Sequence, residues 1–188
     1  MNLFVLICDY NSNKKMKAFK QLLLSAICMV AFFAIAGCDK DNSGTDDNGK
    51  TSATYVDLGL SSGTKWKDAN ESNPKDENNF YTYDEAMSAF GNNLPTNGQF
   101  DELLNTCEWT WTGNGYKVVG PSGKSINMPA GGIRTCMATV CNVGSNGYYW
   151  SSSSNGSTYA KFLYFNSGTV ELNDYGRCGG MSVRLVKK

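Results

Sequence analysis

TYDEAMSAFGNNLPTNGQFDELL, residues 82–104, contains both segments of this chain with helical periodicity. Each segment opens with a capping box. Thr82 is followed three positions later by Glu85, and Thr96 by Gln99, so that side chains satisfy the free amides of a first helical turn. Apolar residues then recur at the spacing of one helix face. We therefore predict two short helices, beginning after Thr82 and after Thr96.

Short runs with strand character follow these helices, and turn sequences containing glycine separate them. The runs are Tyr116–Val119, Tyr148–Ser151, Tyr159–Phe165, Thr169–Leu172 and Ser182–Val186. Helices that are segregated from a set of strands are typical of an α+β domain with an antiparallel sheet. Residues 55–188 have the length of one domain.

The region before this domain has the features of an export signal. Lys17 and Lys20 precede an uncharged apolar stretch at 21–37. This stretch is shorter than the about 20 residues of a membrane span and has signal-peptide flanks. Residues 16–37 are therefore predicted to be a signal peptide that is removed, and an uncleaved membrane anchor is the alternative.

The signal ends at IAGC, residues 35–38, which resembles the bacterial lipobox. The resemblance implies that Cys38 is diacylated and becomes the first residue of the mature protein. Residues 1–15 do not fit the signal, because Asp9 and a polar run precede its basic start. We expect Met16 to be the true initiator and residues 1–15 to be a mis-assigned start.

Residues 38–54 follow as the lipidated cysteine and a polar segment, DKDNSGTDDNGKTSAT, with no aromatic or large aliphatic side chain. Such a composition predicts a disordered tether. Its acidic start resembles that of surface-exported lipoproteins of Bacteroidota, although an ordinary solvated linker has the same composition. The expected location is the cell envelope, with the protein held on the outer membrane by its lipid, and the cell surface and the periplasm are the two alternatives for the side that it faces.

Charge narrows the classes of partner. The chain has 17 basic and 17 acidic residues, and residues 1–38 hold four lysines and one aspartate, so that 13 basic and 16 acidic residues remain, a net charge of −3. That mild acidity, without a basic cluster, argues against nucleic acid as a partner.

The chain has no histidine, which removes the usual acid or base at neutral pH and the commonest metal ligand.

An ordered set of motifs in residues 55–188 resembles the Fibrobacter succinogenes major paralogous domain, a family of lipoprotein domains. The motifs are YVDLGLSSGTKW at 55–66, LPT at 94–96, WTW at 109–111, NGYYWSSS at 146–153, YFN at 164–166 and SVR at 182–184. The resemblance implies a C-type-lectin-like fold whose final strand pairs near the first. The stretch after Trp66 is shorter than in the family, so that one side of the domain is expected to lack a loop or strand.

That fold serves many functions, so the site must decide between them. We expect a ligand-binding or adhesion domain without catalysis, cofactor or metal, with a glycan or a surface protein as ligand. A structural or fimbria-associated surface protein is the alternative. Aromatic side chains favour binding, but most large ones are expected in the core. These core residues are Trp66, Trp109, Trp111 and Trp150, whereas Tyr175 is expected to be exposed.

Four cysteines lie in the domain: Cys107, Cys136, Cys141 and Cys178. In an oxidising compartment they can form two bridges in three pairings. Free thiols that pack as small hydrophobic groups are the alternative.

The spacing of cysteines and of acidic residues gives two further candidate metal sites, and both patterns are weak signals. Gly131-Gly132 with Cys136 and Cys141 resembles the copper-binding cysteines of the formylglycine-generating enzyme, although the first cysteine is one residue farther from the glycines than in that family. This resemblance implies a copper oxidase, the remote alternative. Glu171 and Asp174, interpreted as flanking a turn, are candidates for calcium, which needs several converging oxygens.

Some C-type-lectin-like surface proteins are targets of diversity-generating retroelements, and residues 134–142 and 155–180 have the mixed composition expected of rewritten codons. Ordinary loop variation is the alternative. The candidate ligand face comprises Arg134, Thr135, Cys136, Met137, Ala138, Asn173, Tyr175 and Arg177, with Cys178 beside them.

Overall fold

The computed structural model describes residues 54–188. The signal, Cys38 and the tether therefore lie outside the described residues. Helices α1 (Tyr83–Phe90) and α2 (Asn97–Thr106) both begin with the predicted capping box. The Thr82 amide donates to the Glu85 carboxylate at 2.8 Å, and the Thr96 amide donates to the Gln99 side-chain oxygen at 2.8 Å. Both predicted helices are confirmed.

Within residues 54–188, eleven strands form antiparallel sheets, which confirms the α+β class. The strands are β1 Tyr55–Asp57, β2 Lys65–Lys67, β3 Glu108–Trp111, β4 Gly115–Val119, β5 Ser125–Pro129, β6 Ile133–Arg134, β7 Val140–Cys141, β8 Gly147–Asn155, β9 Tyr159–Asn166, β10 Thr169–Gly176 and β11 Val186–Lys187. Three short sheets have the strand orders β1-β2-β11, β3-β4-β5 and β10-β9-β8, and β6 pairs with β7 as a two-stranded hairpin.

The sheet β10-β9-β8 lies between two hydrophobic clusters because successive side chains of a strand point to opposite faces. Tyr148 and Phe162 pack into one cluster with α1, and Tyr149 and Leu163 pack into the other with α2. The face that carries Tyr148 and Phe162 is called the α1 face below. Strand β10 is an edge of this sheet.

The predicted strand at Ser182–Val186 is wrong over most of its length. Its residues bond several parts of the chain: the Ser182 amide donates to the Tyr148 carbonyl at 3.0 Å, whereas the carbonyls of Val183 and Leu185 accept from the amides of Glu71 and Lys67. Because the partner changes along the segment, no continuous ladder forms. Only β11 pairs as a strand, with β2, and it thereby shares a sheet with β1.

Two of the four tryptophans predicted to be core, Trp66 and Trp150, are fully buried. Trp109 and Trp111 are half-buried and share one face of β3, where both rings meet Tyr116 edge-on. The predicted exposure of Tyr175 is wrong, because its ring packs against the backbone of Gly179 and is half-buried. No helix within residues 54–188 has the length and apolar character to cross a membrane.

Candidate functional site

A pocket of about 620 Å³ opens on the α1 face at the end of β10, and we call it the disulfide pocket. A disulfide between Cys136 and Cys178 forms one wall. The other lining residues are Thr158, Tyr159, Phe162, Asn173, Asp174, Tyr175 and Gly176. The pocket therefore combines a rigid cross-link with aromatic rings and polar side chains.

The tip of the β6–β7 hairpin places Cys136 at the pocket. The Thr135 amide donates to the Thr139 carbonyl at 2.8 Å, and Ala138 adopts a positive φ of 61°, so that the chain reverses within a few residues. This tight turn fixes the direction of the Cys136 side chain.

A second set of backbone bonds brings Cys178 to the same place. Arg134 and Gly180 exchange two backbone hydrogen bonds, of 2.9 and 2.7 Å. A Cβ on Gly180 would lie 2.8 Å from the Arg134 guanidinium and 3.1 Å from the Arg134 Cβ, so this close approach favours glycine. The hairpin is thus held against the chain that follows β10 both by the backbone and by the disulfide.

Strand register builds the floor of the pocket. Phe162 of β9 lies opposite Asn173 of β10, and Ala160 lies opposite Tyr175. The rings of Phe162 and Tyr175 meet edge-on at 6.4 Å. Tyr159, at the start of β9, is 50% exposed and is also a lining residue of the pocket.

The one charged residue in the pocket lining is Asp174, and Glu171 lies three positions before it on β10. Asp174 accepts a hydrogen bond from the Asn155 amide at 3.2 Å, and Glu171 accepts one from the Asn173 amide at 3.5 Å. Both acidic residues lie within strand β10, and the interpretation that they flank a turn is wrong. Because they are three positions apart in a strand, they point to opposite faces and cannot share a calcium ion. Within residues 54–188 no group of three or more metal-ligating side chains converges.

The structure brings together residues from both halves of the candidate ligand face. Cys136, Asn173 and Tyr175 line the disulfide pocket together with Cys178, although the two halves are about 40 residues apart in sequence. Met137 and Ala138 are exposed at the hairpin tip, where Met137 is 65% exposed.

The remaining three residues of the candidate face make contacts within the domain. Arg134 lies 3.2 Å from the Asp76 carboxylate, and Thr135 is buried. Arg177 donates to the Gly156 carbonyl at 2.9 Å, and its guanidinium lies 4.8 Å from the centre of the Tyr83 ring. These side chains are committed to contacts within the domain.

The other cysteines lie away from the pocket lining. Cys107 is a half-buried free thiol after α2, and burial, with a smaller contribution from the Glu102 carboxylate, raises the pKa of Cys107 to about 11. Cys141 is buried opposite Ile133 in the β6–β7 hairpin. Since the Cys136 sulfur is bonded to Cys178, Cys136 and Cys141 do not form a dithiol pair in this structure.

Sequence reasoning did not assign Tyr159, Phe162 or Thr158 to the site. Successive side chains of β9 point to alternate faces, so Phe162 and Tyr164 share one face. This alternation can be read from the sequence. The register of β9 against β10, which decides what lies beside Phe162, depends on the turn at 166–169.

Comparisons with family models, with curated proteins and with solved structures find no match to this chain.

Proposed function

We propose that this chain is a lipid-anchored cell-envelope protein with a C-type-lectin-like binding or adhesion domain, and that its ligand occupies the disulfide pocket. The observation that carries the proposal is the convergence of Cys136, Asn173 and Tyr175 on one cavity. Three separate chain segments form this cavity, and a covalent bond fixes two of them to each other. A rigid wall of this kind lowers the entropy lost when a ligand binds.

Exposed apolar groups support a recognition role for this region. The large hydrophobic side chains that are exposed within residues 54–188 are Met137, Val143 and Tyr159. Tyr159 lines the pocket, and Met137 is adjacent in sequence to Cys136. Apolar and aromatic groups beside a pocket are the usual anchors for a ligand or a partner.

The proposal also uses the sequence outside the described residues. The lipobox resemblance at 35–38 supports a location outside the cytoplasm, with the domain at the end of a tether that starts at Cys38. Two or three acyl chains suffice for stable anchoring. In this proposal the acyl chains on Cys38 hold the protein on the membrane, and the domain at the end of the tether binds the ligand.

A structural role in a surface assembly is the second candidate, and strand β10 favours it. This strand is eight residues long and forms the edge of its sheet. An unpaired edge can accept a strand from another chain. A purely structural component of this kind would bind no soluble ligand.

Diversification by a retroelement would act on the same surface. Met137 and Asn173 are exposed, so substitutions there remove no core contact, whereas the positive φ of Ala138 and the structural contacts of Arg134 and Arg177 restrict change. A near-identical DNA repeat that differs only at adenines, beside a reverse transcriptase gene, is the observation that tests this idea.

The binding proposal is tested with an unlipidated form of the chain that carries Cys38→Ala. We expect this protein to bind members of a glycan array or a panel of surface proteins. Tyr159→Ala should abolish that binding, and Tyr55→Ala, a change of the same kind in β1, should preserve it. Absence of any soluble ligand, or equal binding by both variants, would refute the proposed site.

A further inference from the structure

Strand β10, Thr169–Gly176, has no partner strand on its outer side within residues 54–188. Its one neighbour in the sheet is β9, with which all eight of its residues are paired. An unpaired edge of this length is a template on which another strand can add. The last four residues of β10, Asn173 to Gly176, also line the disulfide pocket, so the edge and the pocket are continuous.

Hydrogen bonds on the far side of the sheet show which backbone groups of β10 face outward. The Trp150 amide donates to the Ser182 carbonyl at 3.2 Å, and the Tyr148 carbonyl accepts from the Ser182 amide at 3.0 Å. These groups of β8 therefore point away from β9. Because backbone groups of successive residues point to opposite sides of a strand, those of Tyr149 point to β9, where its partner is Leu163.

The same alternation continues across β9 to β10. The residues on either side of that β9 partner point their backbone groups to β10, and they are paired there with Glu171 and Asn173. The backbone groups of the intervening residues, Val170, Leu172 and Asp174, therefore point away from the sheet.

Most of these outward groups are unused inside the domain. The Asp174 amide donates to the Asn173 side-chain oxygen at 2.9 Å. The amides and carbonyls of Val170 and Leu172 and the carbonyl of Asp174 have no hydrogen-bond partner among the described residues. The side chains of Val170 and Leu172 pack against the hydrophobic cluster that contains α2, which holds β10 in place. The edge is therefore a fixed row of backbone donors and acceptors.

Acidic side chains flank this edge and restrict what can pair with it. Glu171 and Asp174 are exposed, and Lys161 of β9 lies opposite Asp174 without forming an ion pair with it. Pairing of two copies through β10 would bring the acidic residues of both chains into one short ladder, where like charges are destabilising. The acidic start of the tether at 39–54 is disfavoured for the same reason. The charges of the edge thus favour a basic partner.

We propose that the ligand is an extended basic segment of another protein, which adds to β10 as a further strand and extends along it to the disulfide pocket. This inference rests on the proposed function, since it names the ligand class of the same site. Main-chain hydrogen bonds to a sheet edge supply affinity in this mode, and alternate side chains supply specificity. Side chains of the added strand lie beside Asn173 and Tyr175 at the pocket, and lysines or arginines lie beside Glu171 and Asp174.

The test uses the unlipidated full chain with Cys38→Ala and short synthetic peptides of strand-forming residues. One peptide carries two lysines three positions apart, the spacing of Glu171 and Asp174, and a second carries glutamates in their places. Fluorescence anisotropy should show that the lysine peptide binds about tenfold more tightly, because opposite charges across strands stabilise and like charges destabilise.

N-methylation of alternate residues in the lysine peptide separates strand addition from other modes of binding. Only one alternate set of peptide amides faces β10, so methylation of that set should abolish binding and methylation of the other set should preserve it. Hydrogen exchange is the second measurement. The amides of Val170 and Leu172 should exchange about tenfold more slowly, or slower still, when the lysine peptide is bound.

Reversal of the edge charges should reverse the choice of peptide. With Glu171→Lys and Asp174→Lys combined, the glutamate peptide should bind more tightly than the lysine peptide. Glu108→Lys is the matched control, because Glu108 is an exposed acidic residue on β3, an edge strand of another sheet, and it should leave the preference for lysine unchanged. The methylated peptides are measured without these substitutions, so their result does not depend on how the variants fold.

The outcomes separate the inference from the proposed function. Equal affinity for both peptides, equal effects of the two methylated sets, or unchanged exchange at Val170 and Leu172 would overturn the inference. Protection of these amides that rises with protein concentration in the absence of peptide would assign the edge to a second copy and overturn it as well. Binding of a glycan or surface protein that is lost in Tyr159→Ala, but with which the lysine peptide does not compete, would overturn the inference and leave the proposed function intact. Absence of binding to peptides, glycans and surface proteins would overturn both.

Discussion

Cys136 and Cys178, 42 positions apart in the sequence, are joined by a disulfide that holds their Cα atoms 5.0 Å apart. The bond ties the tip of the β6–β7 hairpin to the chain that leaves β10. Gly176 fits beneath it, where a Cβ would lie 3.3 Å from one sulfur and 3.4 Å from the other. The loops on both sides of the pocket are therefore fixed relative to each other.

Removal of this bond should lower the stability of the domain. A cross-link reduces the entropy of the unfolded chain, and its loss typically costs about 2–4 kcal/mol. We expect Cys136→Ser with Cys178→Ser to lower the free energy of unfolding by that amount, as measured by urea denaturation under oxidising conditions. Cys107→Ser is the control and should cost less, because Cys107 forms no disulfide. Equal midpoints for the wild type and the double variant would show that the bond does not stabilise the fold.

Gly147→Ala should also destabilise the domain, through a single contact. Gly147 lies opposite Phe165 in the β8–β9 pair, and a Cβ on Gly147 would overlap the Phe165 ring. Overpacking of a core costs about 1–3 kcal/mol. Phe165→Leu should restore part of the loss in the double variant, because the smaller side chain leaves room.

Gly168→Ala is the matched control for this change. A Cβ on Gly168 would have an ordinary contact with the Asn166 side chain at 3.8 Å, and thermal melting should shift little. If the effects of Gly147→Ala and Phe165→Leu simply add, the contact between the two residues is not the cause of the loss.

Local signals in the sequence were sufficient for the helices. The capping boxes at Thr82 and Thr96 act within one turn, so their effect does not depend on the rest of the chain. Strands β8 and β10 extend beyond the predicted Tyr148–Ser151 and Thr169–Leu172, since pairing with β9 stabilises polar residues that have little strand character of their own.

The site required information that no local pattern contains. Four cysteines allow three double pairings, and the sequence does not distinguish between them. The partner of Cys136 is set by the docking of Arg134 against Gly180, a contact between segments 46 positions apart. Tyr175 was expected on the surface because turns flank it, yet the path of Gly179 covers its ring. The register of β9 against β10 and the docking of the β6–β7 hairpin both depend on residues far apart in the sequence. Together they determine which residues line the pocket.

Arg184→Met should be among the most damaging single substitutions. The Arg184 guanidinium is 1% exposed and donates to the Asn70 side-chain oxygen at 2.9 Å and to the carbonyls of Lys67 and Asn127 at 2.8 and 2.7 Å. Methionine fills part of the volume but leaves these three part-buried acceptors without a donor, and a buried group that loses its partner costs about 1–3 kcal/mol. We expect a loss of at least about 3 kcal/mol in urea denaturation.

Lys124→Met is the control for Arg184→Met, because Lys124 is exposed and surface substitutions usually change stability by about 0.5 kcal/mol or less. A small loss for Arg184→Met would show that the three acceptors find other donors, such as water.

Alkaline pH should destabilise the domain in two stages. Burial raises the pKa of Cys107 from 9.0 to about 11, and it raises the pKa values of Tyr148 and Tyr149 from 10.0 to about 12. These groups are neutral when protonated, so between the unfolded and folded pKa values the folded state binds more protons than the unfolded state. Stability is therefore fully present below pH 9.0 and falls as the pH rises, first through Cys107 and then, above pH 10.0, through the tyrosines.

The measurement is the urea midpoint as a function of pH, taken with short incubations so that thiol exchange with the Cys136 disulfide does not contribute. The wild-type midpoint should begin to fall near pH 9, and Cys107→Ala should delay this onset until near pH 10, because only the buried tyrosines then titrate. A variant with the same onset as the wild type would show that the Cys107 thiol ionises equally in both states. In that case its burial does not couple folding to pH.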